Sequence, residues 1–307
     1  MRFNFIFFVI ETQTKRIDHL GIIAGVIKHL NLIDFLDKRL ETDPREEISK
    51  GEAIAGMIIN GLGFSNRPMS LTPQFFDNKA LTQLFGKSMD ATHFNRFKLG
   101  RSLDACYSYG CSKLFAEISA HVCNIQNIDM RFNSLDTTTF SLTGEYEDSS
   151  DEHAIKITHG HSKDHRPDLK QAILEIMISQ DGGVPTCYMA HNGNKSDCKI
   201  FQERSKALLN ALKNADFPRY LIADSKLYTK SNLEENLKNI PFITRVPATI
   251  KLEQEVISEA LISPENSWSR LDDNNKYQAT NVNHYGLSQR WIVVFSLSMH
   301  ERSKKKI

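Results

Sequence analysis

Two aspartates of this 307-residue chain each close an apolar run. Asp136 follows Leu135 in RFNSLDTTTFSL, and Asp224 follows Leu221, Ile222 and Ala223. If the two runs are neighbouring strands of one sheet, both carboxylates project into the same cleft. Paired carboxylates suit Mg²⁺, which prefers hard oxygen ligands and keeps several waters. Two such ions, about 4 Å apart, can activate a water or hydroxyl and stabilise the leaving oxygen of a phosphodiester. The plain alternative is that Asp136 caps a turn and Asp224 caps a loop. The pairing of two such aspartates within one strand order shifts the balance toward the metal reading and leaves the plain one open.

Two polar stretches could meet a substrate. In HGHSKDHRPDLKQ (159–171), Arg166 can fork onto a phosphate, while Lys163 and Lys170 can act as point charges. His159, His161 and His165 are spaced two and four apart, which suits no single face, so a DNA-facing or solvated loop is favoured over metal ligation. In HNGNKSD, the side chains of Asn192, Asn194, Lys195 and Asp197 form a turn-like segment able to reach a ligand; a surface loop is the plain alternative. The five cysteines include no C-x-x-C pair, and Cys187 with His191 lacks a second pair at zinc-finger spacing, so free thiols are expected.

The elements that must position these groups fall into two parts. Residues 17–130 read as helical. An apolar stripe runs from Ile17 through Leu20, Ile23, Ala24, Ile27, Leu30 and Ile33, broken at Asn31. Asp34 could cap a short helix through Leu40, and Ser49 the next, whose apolar face runs from Ala53 to Leu62 and ends at Gly61 and Gly63. Pro68 and Pro73 mark a loop, and a last helix spans about Leu99 to Val122. Ordinary bundle core accounts for most of these stripes; no recognition helix rich in Arg, Lys, Asn or Gln stands out.

Near residue 131 the period shifts from helical to alternating. Strands are expected at 132–142, at 169–179, and at 184–191 after an Asp181-Gly182-Gly183 turn, making a hairpin. An amphipathic helix from Lys199 to Asn214 follows, then a strand Tyr220–Ala223, a helix capped by Ser231 and running to Asn239, and a strand at 241–246. Beyond Pro247 and Pro264 the chain reads as loop-rich, with strands near Lys276–Val282 and Trp291–Ser296.

Composition adds exclusions. Apolar residues make 40% and charged residues 24%, which excludes a disordered or collagenous chain. The net charge of +1 points no global field at a polyanion, so nucleic-acid contacts must come from local patches. The one basic cluster, Arg302, Lys304, Lys305 and Lys306, reads as a solvated terminus. The apolar start, Phe3 to Ile10, is too short to span a bilayer, which takes about 20 residues. A cytoplasmic protein that does not enter a membrane is expected.

The strings LDTTTFSLTGEY, GHSKDHRPDLKQ, HNGNKSD, YLIADSKLYTKSNLEENL and PFITRVP, in this order, resemble bacterial insertion-sequence DDE transposases. The similarity is to the insertion-sequence-4-like group, in the branch named for insertion sequence 1634. IDHLGIIAGVIKHLNLID, NGLGFSNRPMSLTPQFF and LGRSLDACYSYG resemble the N-terminal domain of that branch. The resemblance implies an α/β fold: an RNase H-like mixed-sheet core over 131–250, a small all-α domain over 17–130 that could hold DNA, and the start of a β-rich insertion over 251–307. Residues 1–16 are an atypical leader. It further implies Asp136 and Asp224 as the first two acidic ligands of a two-metal Mg²⁺ or Mn²⁺ site. The implied partners are element ends and target DNA, handled by a homodimer when the protein is complete.

One departure from the family pattern has a functional consequence. The family's catalytic Glu lies on a helix beyond the insertion, whereas this sequence stops at Ile307, soon after RWIVVFSLSMHERS, and Glu301 does not sit in matching surroundings. The expectation is a C-terminally truncated transposase with little or no transposition of its own. Two further readings compete with an active enzyme. One is a non-catalytic DNA-binding remnant that occupies element ends or inhibits a full-length partner. The other is a related nuclease whose third ligand is Glu301, Glu145, Glu147 or Asp148.

Overall fold

The computed structural model describes residues 14–41, 43–147, 154–161, 165–196, 200, 220–238 and 240–304. They fall into two compact units, Met1–Asn127 and Ile128–Ile307.

The first unit is helical: α1 (Leu20–His29), α2 (Leu32–Asp37), α3 (Lys50–Gly61), α4 (Thr72–Phe76), α5 (Leu81–Phe85), α6 (Arg96–Tyr109) and α7 (Cys111–Gln126). Its core gathers Leu20, Leu36, Ile59, Phe76, Phe94 and Leu99, each at most 1% exposed. Ser49 caps α3 as expected. Its hydroxyl accepts from the Glu52 amide at 3.0 Å while the Glu52 carboxylate accepts from the Ser49 amide at 2.7 Å, a reciprocal box.

Three expectations change here. Asn31, in the left-handed region at φ 48°, occupies the start of α2, and Asp34 lies inside the helix. Pro73 lies in the first turn of α4, where its missing N–H costs nothing, so it does not mark a loop. The single helix expected over 99–122 is two, because Gly110 takes φ 96°, ψ 102° and no α-helix continues through that conformation.

The second unit carries a five-stranded mixed sheet in the order β3-β2-β1-β4-β5. Its strands are β1 (Phe132–Leu142), β2 (Lys170–Ser179), β3 (Pro185–Asn192), β4 (Tyr220–Ala223) and β5 (Phe242–Thr244). β1–β2 and β2–β3 are antiparallel; β1–β4 and β4–β5 are parallel. The β2–β3 hairpin turns through Gly182 and Gly183 at φ 68° and 62°, values that favour glycine. Leu135, Leu221, Leu227, Leu237 and Ile240 form a core on one face of this sheet. The α/β class with a helical unit ahead of it is as expected.

A second, antiparallel sheet in the order β6-β7-β8 comprises β6 (Ser269–Arg270), β7 (Asn275–His284) and β8 (Leu287–Ser296). Tyr285 and Gly286, at φ 50° and 71°, make the two-residue β7–β8 turn. Between the sheets lies α8 (Lys251–Ile262), and α9 (Leu297–Lys304) follows β8. The loop-rich expectation fails at α8. Its flanking prolines lie outside the helix, and Val256 and Ala260, four apart, are buried.

The Lys199–Asn214 helix falls outside the described residues except for Ile200. The Ser231-capped helix is a short π-helical segment, Asn232–Asn236; Ser231 makes no capping hydrogen bond and has helical backbone angles. Among the described residues no helix is long and apolar enough to cross a membrane.

Candidate active site

Parallel pairing between β1 and β4 runs from Phe132↔Tyr220 to Leu135↔Ala223. The next residue on each strand is an aspartate. Asp136 continues β1, and Asp224 remains extended at φ −70°, ψ 179°. Leu135 and Ala223 pack into the core on one face, so both carboxylates emerge on the opposite face from strands about 4.8 Å apart. Both residues are exposed.

Local hydrogen bonds orient each carboxylate. Asp136 Oδ1 accepts from the Thr137 amide at 2.7 Å. Asp224 Oδ1 accepts from the Lys226 amide at 2.9 Å and so caps the 3₁₀ turn Ser225–Leu227. The Thr244 hydroxyl donates to the Asp224 carbonyl at 2.7 Å, tying that corner to β5. Asp136 sits within a strand and caps no turn; Asp224 does cap one. Among the described residues neither Oδ2 takes a hydrogen bond. Two neighbouring carboxylates, each with a free oxygen facing solvent, fit a hard cation that retains waters. Among the described residues no group of three His, Cys, Asp or Glu side chains could hold a metal.

Among the described candidates, Arg166, Lys170 and Lys195 have partners away from this pair. Lys163 lies outside the described residues. The guanidinium of Arg166 is already forked onto Asp168, Nε to Oδ1 at 2.8 Å and a terminal nitrogen to Oδ2 at 2.7 Å. That hydrogen bonding holds the Asp168 carboxyl below, and the Arg166 guanidinium above, their ordinary pKa ranges. Lys170 donates to the carbonyls of Glu145 and Tyr146, bracing that loop. It pairs with Leu142, six positions along β1 from Asp136, roughly 20 Å at the usual strand rise.

Asn194 is exposed in the turn after β3. Lys195 reaches His191 Nδ1 at 3.3 Å. Through Ile173 and Thr139 the register puts His191 on the face opposite Asp136, so Lys195 serves that buried side.

Two features went unnoticed in the sequence. Glu175 and His191, side chains 3% and 5% exposed, pair at 2.7 Å inside the sheet. The polar strings containing Gly160 and Gly193 are interlocked. A Cβ on Gly160 would stand 2.1 Å from the Gly193 carbonyl oxygen, and one on Gly193 would stand 2.0 Å from the Gln171 carbonyl oxygen. Gln171, 1% exposed, donates to the Gly193 carbonyl at 2.7 Å. Only glycine permits these approaches. Neither HGHSKDHRPDLKQ nor HNGNKSD shows by itself that its glycine meets distant backbone.

Residues 128–300, over half of the chain, match the family model described as transposase DDE domain. The chain belongs to that family. Residues 12–120 match a domain of unknown function, DUF4277.

Solved structures similar to this DDE-family chain include three transposase assemblies. A piggyBac transposase synaptic complex with hairpin DNA has TM-score 0.36 and 9% identity, over 91% of this chain and 60% of that one. A Mos1 transposase paired-end complex with the left transposon end has TM-score 0.26 and 11% identity, over 71% and 67%. A pre-cleavage Mos1 transpososome has TM-score 0.25 and 11% identity, over 81% and 85%. The DDE-family chain thus spans 60% of the length of the piggyBac protein. No curated protein sequence matches it.

Proposed function

We propose that this chain is the transposase of a bacterial insertion sequence, in the insertion-sequence-4-like group and the branch of insertion sequence 1634. On this reading Asp136 and Asp224 are the first two metal ligands of its DNA-cleaving site. The support is the shared register step on β1 and β4, which sets two exposed carboxylates side by side on one face. Residues 131–250 form the catalytic core, 17–130 a domain able to hold DNA, and 251–307 the start of a β-rich insertion.

The substrates are element ends and target DNA, met in the cytoplasm by a homodimer. Mg²⁺ or Mn²⁺ at the pair would supply Lewis-acid stabilisation of phosphate charge and a more acidic bound water. The protein's own part is orientation. The Thr137 and Lys226 amides each hold Oδ1 of one aspartate and leave Oδ2 turned outward.

A second reading concerns this polypeptide acting alone. Among the described residues no third ligand joins the pair. Were Asp136 and Asp224 its sole ligands, a cation would be held weakly, and on this reading the chain by itself binds DNA and cuts it little or not at all. It can then occupy element ends or inhibit an active transposase of the same element.

The test uses a supercoiled plasmid carrying the DNA that flanks the coding sequence. The expected result is salt-sensitive binding at the ends with little nicking in Mg²⁺ or Mn²⁺. End-specific nicking abolished in Asp136→Ala would overturn the inactivity and leave the ligand assignment standing. Nicking of generic DNA that survives in Asp136→Ala would defeat both.

A further inference from the structure

The register that aligns Asp136 with Asp224 extends one strand further. β4 and β5 pair from Leu221↔Phe242 to Ala223↔Thr244, so the residue beside Asp224 on β5 is Arg245. Phe242 and Val246 pack into the core formed around Tyr228 and Trp291, while Ile243 and Arg245, which alternate with them, are exposed. Arg245 therefore belongs to the same row and the same face as the two carboxylates.

Its charge is uncommitted. Within the second unit Arg131, Arg166 and Arg270 each pair with an aspartate two or three residues away. Among the described residues Arg245 makes no ion pair and no side-chain hydrogen bond, even with Asp224 on the adjoining strand. The same holds for Arg290 on β8.

Both arginines line one open cavity of about 860 Å³. Its walls are β5, the edge of the five-stranded sheet, and β8, the edge of the three-stranded sheet. Lys238 adds a third positive charge to the lining, against the single carboxylate of Glu253. A planar guanidinium matches the paired oxygens of a phosphate, and an excess of positive charge in a groove attracts a polyanion.

We infer that Arg245 grips a DNA phosphate beside the carboxylate pair and that Arg290 grips a second phosphate in the same groove. This rests on the reading of the chain as a DNA-cleaving transposase. It assigns work to the PFITRVP string that neither acidic ligand performs.

The test is equilibrium binding of the 307-residue protein to a fluorescent duplex of about 30 base pairs in EDTA, across about 50 to 200 mM salt, the range over which phosphate contacts are weakened. Each lost phosphate contact reduces the slope of log K against log salt by about 0.9. Arg245→Gln is expected to lower the slope by about one contact and to weaken binding several-fold at all salts. Arg245→Gln/Arg290→Gln lowers it by about two contacts. Arg245→Lys, which keeps the charge, restores the slope of a single contact.

A wild-type slope and affinity in folded Arg245→Gln overturn the inference, as does a reduced slope in folded Arg245→Lys. The underlying reading is probed separately by adding Mg²⁺, which should tighten binding for the wild type and not for Asp136→Asn. A lowered slope in Arg245→Gln without that Mg²⁺ effect keeps the phosphate grip and defeats the metal site. No binding of the duplex by the wild type defeats both.

Discussion

Asp136 and Asp224 stand at matched positions on adjacent parallel strands, one residue beyond the paired Leu135 and Ala223. Two like charges held side by side repel each other, and a divalent cation between them removes that cost. The arrangement is therefore expected to respond to metal before any DNA is present.

Mg²⁺ or Mn²⁺ should raise the melting temperature of the wild-type protein, because a ligand that binds only the folded state stabilises it by mass action. In Asp136→Asn and Asp224→Asn the rise should disappear. Without metal these two variants should melt no lower than wild type, since both side chains are exposed and Asn can still cap the turn at 224. Differential scanning calorimetry with and without metal checks this. An undiminished metal shift in both variants would place the cation elsewhere.

Gly160→Ala and Gly193→Ala should each destabilise the second unit by about 2 kcal/mol or more, because the new methyl group meets backbone that cannot withdraw. Gly100→Ala is the opposite case. Gly100 lies inside α6 with nothing within 4 Å of an added Cβ, so this change should stabilise by about 0.5 to 1 kcal/mol. Urea unfolding followed by circular dichroism separates the outcomes.

The buried Glu175–His191 pair makes its own prediction. Glu175→Ala should cost about 3 kcal/mol or more, because the histidine loses its partner in a dry site. Glu175→Met combined with His191→Leu should cost less than Glu175→Ala alone, since the buried imidazole is then not left without its carboxylate. A double-mutant cycle gives the coupling, and a coupling near zero would show that the two side chains do not depend on each other.

Alkaline stability should turn on Tyr228. Burial among Trp291, Leu233 and Val256 raises its phenol pKa from 10.0 to about 12, while its hydroxyl donates to Gln289 at 3.0 Å and lies 2.9 Å from His284 Nδ1. The folded protein thus keeps a proton that the unfolded chain releases, so stability falls as pH rises between 10 and about 12 and is unaffected by this group below 10. Tyr228→Phe should flatten the decline in that window. An identical decline in Tyr228→Phe, measured by urea midpoints from pH 9 upward, would assign it to other groups.

The strands were largely legible from alternation. β1 occupies 132–142 and β4 occupies 220–223, both as read from the sequence, because a half-buried strand repeats every two residues whatever surrounds it. The capped start of α3 was legible for the same local reason: Ser49 and Glu52 lie within one turn of each other. The break at Gly110 was not, since the apolar spacing continues across it and only the backbone angles there end the helix. Nor was α8, whose flanking prolines read as loop markers when they are helix boundaries.

The face that each side chain serves was settled by pairing between strands distant in the chain. Nothing local to HNGNKSD indicates that Lys195 serves a buried histidine, because the face on which His191 lies depends on pairing of β3 with β2 and of β2 with β1. Arg245 joins the row of Asp136 and Asp224 through two further pairings. Residue types and short-range periodicity named the acidic pair and the strands that bear it. Register decided which groups stand beside that pair, since shifting a strand by a single residue would turn every one of its side chains to the other face.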